Sequence, residues 1–353
     1  MNKQLISKST SKGKRVFVGL SGGVDSAVSA ALLKEQGYDV TGVFIKVWHP
    51  DFLPCTWREE RRDAMRVAAR LNIPFLFFDF EEEYKKGVAD YMIKEYALGR
   101  TPNPDVMCNR EIKFGAFLKK AREMGADFIA TGHYARNDSN VLKEGKDTNK
   151  DQSYFLWTLT PEDLSHVLFP IGNLEKPEVR ALAEKFNLPV AEKKDSQGIC
   201  FLGKVGIEEF LSHFITVVPG NVLDLKGNVV GTHHGAIYYT LGERHGFEIT
   251  KNAPDSKAFY VIAKDITNNT ITVSDNPAEI TSHLPTKMKL QSVNWISNSG
   301  KSPVTARIRY HQEKFPVKVD VNQIVFSTPQ TAAPGQSIVF YAGDVCLGGG
   351  ILV

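Results

Sequence analysis

The chain has 353 residues, 42% hydrophobic and 24% charged, with 43 Lys and Arg against 40 Asp and Glu and a formal charge of +3. That length predicts two or three domains rather than one, and no apolar stretch approaches the roughly 20 residues that cross a bilayer, so no membrane-spanning helix is expected. Five basic residues and no acid fall in residues 1–15, a basic tail read as disordered; the rest holds 38 basic and 40 acidic residues, so overall charge gives no argument for nucleic acid.

Residues 15–20 form a short apolar run that predicts a buried strand, and residues 27–36 carry apolar positions at helical spacing until Gly37. Strands are then predicted over 39–46, 75–80 and 128–131, and helices over 58–71, 83–98 and 112–124. This alternation predicts an α/β fold with a doubly wound parallel sheet, whose ligands bind beyond the carboxyl ends of the strands. That edge would bring together the 21–26 loop, Lys46, Asp79 and Gly132-His133. Arg58, Arg62, Arg66 and Arg70 form either a drifting basic stripe or a solvated face neutralised by Glu59, Glu60 and Asp63.

Near Gly203 the pattern changes to a helix at 207–214 and short strands with Asn-Gly and Gly-Asn turns, including 222–230 and 259–263 paired with 270–273. A Pro/Asn-rich linker is expected over 275–286. Beyond it Val304, Ala306, Ile308 and Tyr310 alternate with Thr305, Arg307, Arg309 and His311, as in a small C-terminal β-barrel whose arginine face suits RNA phosphate or is merely solvated. The expected division is a tail at 1–14, a catalytic domain at 15–202, a small α+β central domain at 203–280 and a barrel at 281–353.

Ser21-Gly-Gly-Val-Asp-Ser26 sits at the first strand-to-helix corner. Two adjacent glycines let backbone N–H groups approach an anion, the serines add hydroxyl donors, and the helix start adds its positive dipole end. The common phosphate loop ends in Gly-Lys-[Ser/Thr], and no lysine lies between Leu20 and Lys34. The loop is therefore either an anion site of another class or a serine-capped helix after a glycine turn.

Four cysteines stand at 55, 108, 200 and 346 without a Cys-x-x-Cys pair, which argues against a disulfide scaffold or zinc ribbon and for a reducing, cytoplasmic location. Cys108 follows Thr101-Pro-Asn-Pro-Asp105, where two prolines predict an extended, rigid loop. Arg110, Lys113 and a helix starting shortly after would lower its thiol pKa. Cys200 follows Lys193, Lys194 and a polar glycine loop in a similar setting. Cys55 and Cys346 read as structural.

The Ser-Gly-Gly-x-Asp-Ser loop resembles the ATP pyrophosphatases, which adenylate an oxygen and release pyrophosphate. Taken in order, Gly19 to Ser26, Thr101 to Phe114, Ala130 to Tyr134, Lys150 to Ser153, Lys194 to Phe201, Gly231 to His234 with Tyr239 to Gly242, Arg307 to Tyr310, and Pro334 to Gln336 leading to Cys346 to Gly350 resemble the tRNA 2-thiouridylases of bacteria and organelles. The resemblance covers nearly everything after residue 15. It implies an adenine nucleotide alpha hydrolase-like fold and an enzyme that replaces the C2 oxygen of the wobble uridine with sulfur. It also implies ATP, with Mg²⁺, on Gly19, Leu20, Ser21, Gly22, Gly23, Val24, Asp25, Ser26, Ile45 and Gly132, and the target base on Asn103, Pro104 and Asp105. It places tRNA on His133, Lys150, Asp151, Gln152, Arg309, Tyr310 and Gln336, makes Cys108 the nucleophile and Cys200 the persulfide carrier, and implies a Cys108–Cys200 disulfide after transfer. A persulfide donor protein is an implied partner, and a monomer is expected. Ile45 stands where the family often has methionine, and His311 where it often has arginine.

Three other readings fit parts of the chain. A synthetase or amidotransferase would share the loop but would not need two loop thiols. An RNA-binding module with a vestigial nucleotide site is disfavoured by the intact Asp25 and both serines. An iron–sulfur enzyme could use Cys55, Cys108 and Cys200, although their scattered spacing favours a chain without a resident metal.

Overall fold

The computed structural model describes residues 12–53, 57–195, 206–250, 258–297 and 303–353. The first unit contains strands β1 (Arg15–Gly19), β2 (Asp39–Val47), β3 (Phe75–Phe80), β4 (Phe128–Ala130), β5 (Ala135–Asp138), β6 (Val141–Glu144) and β7 (Val167–Leu168). Its main sheet has the order β3-β2-β1-β4-β7, and every pairing is parallel, as the alternating pattern predicts. The alternation of β1 builds a core on each face. Val16 and Val18 pack with helix α1 (Val24–Glu35) and helix α2 (Trp57–Leu71), while Phe17 faces Phe78, Phe117 and Ile129 on the other side.

Two helix starts differ from the sequence reading. The segment before Cys108 is not an extended loop. Asn103 caps helix α3 (Pro104–Cys108), its side chain accepting the Val106 N–H at 3.2 Å, with Pro104 in the first turn. The helical run then continues through a π-helical stretch, Asn109–Ala116, and Phe117–Glu123. Pro104's fixed φ suits a first helical turn as well as it suits an extended chain, and the Asn cap decides between them. Asn276-Pro277 repeats the device: the expected linker contains a helix, Pro277–His283, capped by Asn276 onto the Ala278 N–H at 3.0 Å.

The middle unit is a five-stranded sheet in the order Phe247–Ile249, Val229–His233, Gly220–Leu223, Thr270–Ser274, Tyr260–Asp265. The C-terminal unit is a closed barrel of six antiparallel strands. Lys287–Trp295 pairs with both Gln323–Phe326 and Val345–Leu352, with Phe315–Asp320, Thr305–Arg307 and Ser337–Ala342 between them. Gly348 and Gly349 permit this closure. A Cβ at Gly348 would lie 2.0 Å from the Asn294 carbonyl oxygen, and one at Gly349 2.6 Å from that of Ile338.

The barrel is joined to the first unit by backbone and by charge. β6 pairs with Val345–Leu352, and the Glu144 N–H donates to the Asp344 carbonyl at 2.8 Å. Arg307 lies 3.1 Å from Glu144 and 3.2 Å from Asp151, while Lys314 reaches Glu144 at 2.8 Å. Of the two arginines on the expected polar face, Arg307 is paired inside the joint and Arg309 is exposed. Thr101 ties all three units together, its N–H donating to the Pro334 carbonyl at 2.8 Å and its hydroxyl lying 2.9 Å from that of Thr240.

Replacing Arg307 with Met leaves the almost fully buried Asp151 without its cation, while Glu144 keeps Lys314. Breaking such a pair costs about 3 kcal/mol. Chemical denaturation should show a loss of that order; an unchanged midpoint would mean the pair is not integral to the joint.

Candidate active site

The loop after β1 gathers backbone and hydroxyl donors at the start of α1. α1 begins at Val24 with Gly23 as its N-cap and no side-chain capping bond, so Val24, Asp25 and Ser26 form its first turn. The Ser21 N–H reaches the Ser26 hydroxyl at 3.2 Å, the Gly23 N–H reaches the Ser21 hydroxyl at 3.4 Å, and the two hydroxyls lie 3.2 Å apart. Gly22 has φ +75°, and a Cβ there would sit 2.5 Å from the Glu60 carbonyl oxygen of α2. A Cβ at Gly132 would sit 2.7 Å from the Ser26 nitrogen, so the end of β4 closes directly on the loop. Ile45 is buried among the core residues on the sheet face away from α1, and its place near the carboxyl end of β2 puts its backbone on the loop's side of the sheet.

Asp25 is held by residues that the sequence reading did not single out. It accepts from the Tyr134 hydroxyl at 2.9 Å and, through both carboxylate oxygens, from Lys176 Nζ at 2.8 and 2.9 Å. Lys176 opens helix α4 (Lys176–Lys185) and also pairs with Asp195 at 2.7 Å. Asp195 receives Lys150 at 2.9 Å and Arg180 at 2.8 Å as well. Burial pushes the Asp195 carboxyl up, but the hydrogen bonds from Lys176 and Lys150 outweigh it and hold the group at about 2. Burial, then the Asp25 carboxylate, pushes the Tyr134 phenol far above its usual range, so it stays a donor. Lys46, expected at the same edge, is paired with Asp79 and Glu81. The Glu81 hydrogen bond is the largest cause raising its pKa.

Cys108 is fully buried at the end of α3, packed in the core with Val106, Met107 and Ile112. It lies in the second turn of a continuous helical run rather than before a helix start, so the dipole effect expected from a following helix does not apply. The next residue, Asn109, donates to the Phe155 carbonyl at 3.1 Å, and its side-chain oxygen is buried with no hydrogen-bond partner. Asn103 meets the Tyr154 hydroxyl, which donates to the Ile308 and Ser337 carbonyls of the barrel at 2.6 and 3.0 Å. Tyr310 packs on Phe155 at 4.7 Å between ring centres. The three base-contact candidates Asn103, Pro104 and Asp105 therefore form the first turn that leads to Cys108, against the barrel.

The RNA-contact candidates divide by burial. His133 is buried between Phe114 and Phe169, and burial, with Lys113 adding to it, pushes its pKa well below 6.5. Its Nδ1 lies 2.7 Å from the Thr131 hydroxyl and its Nε2 3.5 Å from Lys113 Nζ. Asp151 is also buried, its oxygens accepting from Gly145 N, Ser153 N and the Ser153 hydroxyl as well as from Arg307. In this conformation both side chains are buried and bonded within the protein, not exposed at the surface. Gln152 is partly exposed and accepts the Tyr134 N–H; Gln336 is partly exposed and accepts the Ala333 N–H. Arg309 is exposed and donates to the Leu241 carbonyl at 3.0 Å. On α2, the exposed Arg62 and Arg66 pair with Glu59 and Asp63, as a solvated face would.

Cys55 and Cys200 lie outside the described residues. Cys346 is buried in the barrel wall, and burial pushes its thiol up to about 12. An open cavity of about 590 Å³ lined by Lys14, Asp127, Ser165 and His166 lies at the amino ends of β1 and β4, the opposite edge from the loop.

Residues 14–204 match a family described as the tRNA methyl transferase HUP domain, 208–275 its PRC-barrel domain, and 285–352 the aminomethyltransferase beta-barrel domain. The tRNA-specific 2-thiouridylase MnmA of Listeria innocua is 45% identical over 96% of this chain and 94% of its own length. The chain belongs to the tRNA-specific 2-thiouridylase family. Family members from Lysinibacillus sphaericus and Streptococcus sanguinis are also 45% identical over 96% of the chain, covering 94% and 95% of theirs. Among solved structures, the U34-tRNA thiolase NcsA from Methanococcus maripaludis aligns with 58% of this chain and 64% of its own, at 19% identity and a TM-score of 0.37.

The glycine contacts make the loop intolerant of any side chain. Gly22→Ala or Gly132→Ala should weaken ATP binding at least about tenfold, because a Cβ must push α2 or β4 off the loop. Ser21→Ala, which removes only a hydroxyl, should cost less. Calorimetric titration with ATP checks this order, and equal affinities for all three variants would contradict it.

Proposed function

We propose that the chain is an ATP-dependent tRNA 2-thiouridylase that adenylates the C2 oxygen of the wobble uridine and replaces it with sulfur. The observation that carries this reading is the full-length match to that family, which spans the loop, both cysteine segments and the barrel together. The matched domain descriptions name a methyl transferase instead, but an uncapped helix start behind two glycines suits a polyphosphate, and sulfonium methyl donors carry none.

The C2 carbonyl of uridine is a poor electrophile whose oxygen does not leave unaided. Attack of that oxygen on the α-phosphate of ATP makes it a phosphate ester and releases pyrophosphate toward the donors of residues 21–26. Asp25 would hold Mg²⁺ through its carboxylate. Among the described residues no cluster of three metal-ligating side chains exists, so the metal would share its coordination with the phosphates it screens. A persulfide on Cys200 attacks C2, and AMP leaves with the original oxygen. The Cys108 thiolate then attacks the Cys200 sulfur of the persulfide, leaving the terminal sulfur on C2 and a Cys108–Cys200 disulfide that an external thiol reduces. A sequence in which Cys108 first frees sulfide uses the same residues.

Cys108 is buried, so the base reaches it by rearrangement of the Asn103–Asp105 turn, and single-stranded anticodon bases are the ones that can leave their stack at low cost. In this reading residues 15–202 carry the chemistry, while 203–280 and 281–353 hold tRNA with Lys150, Gln152, Arg309, Tyr310 and Gln336 near the joint. The proposed unit is a cytoplasmic monomer supplied by a persulfide donor protein, a location that its sparse cysteines suit.

Nucleoside mass spectrometry of tRNA incubated with the protein, ATP and a sulfur source should detect 2-thiouridine. Cys108→Ser and Cys200→Ser should each abolish it while leaving ATP binding intact. Unchanged thiolation in either variant would remove that cysteine from the mechanism.

A further inference from the structure

Lys176 is ion-paired with Asp25, the carboxylate of the 21–26 loop. Its ammonium bridges Asp25 and Asp195, at 2.8 and 2.7 Å, from a side chain only 14% exposed. The two carboxylates depend on it unequally. Without Lys176, Asp195 keeps Lys150 and Arg180, whereas Asp25 keeps only the Tyr134 hydroxyl among the described residues. The backbone from which Lys176 reaches is fixed: its N–H donates to Asp147 at 2.9 Å, Pro177 follows, and Glu175 and Glu178 form a capping box. α4 packs on α1, so the lysine stands over the first turn of the loop helix.

We propose that Lys176 is an exchangeable counter-ion: it holds Asp25 while the nucleotide site is empty, yields that carboxylate to the incoming metal, and turns its ammonium to the polyphosphate. The inference rests on the ATP reading above. An ammonium and a divalent cation repel each other on one carboxylate, and the new anion in the mouth is the phosphate chain itself. Asp195 makes the exchange inexpensive, because it shares the lysine in the empty state and retains two other cations when the lysine moves.

The test is calorimetric titration of ATP into the full chain over a range of Mg²⁺ concentrations, with circular dichroism melts to confirm folding. Lys176→Met should weaken ATP binding about tenfold, the loss of one charge-assisted contact, yet lower the Mg²⁺ concentration needed for half-maximal affinity. Lys176→Arg should stay closer to wild type in both. Asp195→Asn, which leaves Lys176 to Asp25 alone, should raise the Mg²⁺ requirement. Loss of a lysine with only a structural role would weaken ATP binding and raise the Mg²⁺ requirement together, or leave both unchanged, and either result overturns the proposal. If the wild-type chain binds no ATP, the functional reading falls and takes this inference with it.

Discussion

The site depends on how closely three backbones approach one another at the carboxyl edge of the sheet. Gly22 lies under the Glu60 carbonyl of α2, and Gly132 lies against the Ser26 nitrogen, with no room for a Cβ at either place. This contact closes the loop on two sides, leaving Ser21 exposed and Asp25 partly exposed beside the start of α1. The helix start has no side-chain cap of its own, so its donors are left for a ligand. Asp25, Lys176 and Tyr134 then set the charge at that opening.

The second half of the site depends on a joint between units. Arg307, Glu144, Asp151 and Lys314 lock the barrel to the β5–β6 hairpin, and Tyr154 donates across the same seam to barrel carbonyls. Thr101 contacts both other units two residues before Asn103. The turn that leads to Cys108 is therefore held by all three parts of the chain, and RNA bound across them would act on it directly. Phe114, His133 and Phe169 link this turn to the end of β4, and so to the nucleotide loop.

The parallel sheet and its loop were legible because both are local: an apolar run, two glycines and a helix rich in apolar residues are adjacent in the sequence. Asn103-Pro104 and Asn276-Pro277 were misread for a shared reason. Proline restricts the residue before it and so suggests extension, but asparagine followed by proline is also how a helix starts, and only the cap bond distinguishes them. The pairing of Arg307 was not legible, because strand alternation gives a face and not what covers it. Lys176 carried no signal, since its importance comes from a carboxylate 151 positions earlier in the chain. The burial of His133 and Asp151 was equally a matter of tertiary packing.

The central claim is that the loop activates the uridine oxygen by adenylation, and the fate of that oxygen tests it most directly. With tRNA carrying ¹⁸O at C2 of the target uridine, mass spectrometry of the products should find one ¹⁸O in AMP for each thiouridine formed. Label in inorganic phosphate, pyrophosphate or water would contradict it.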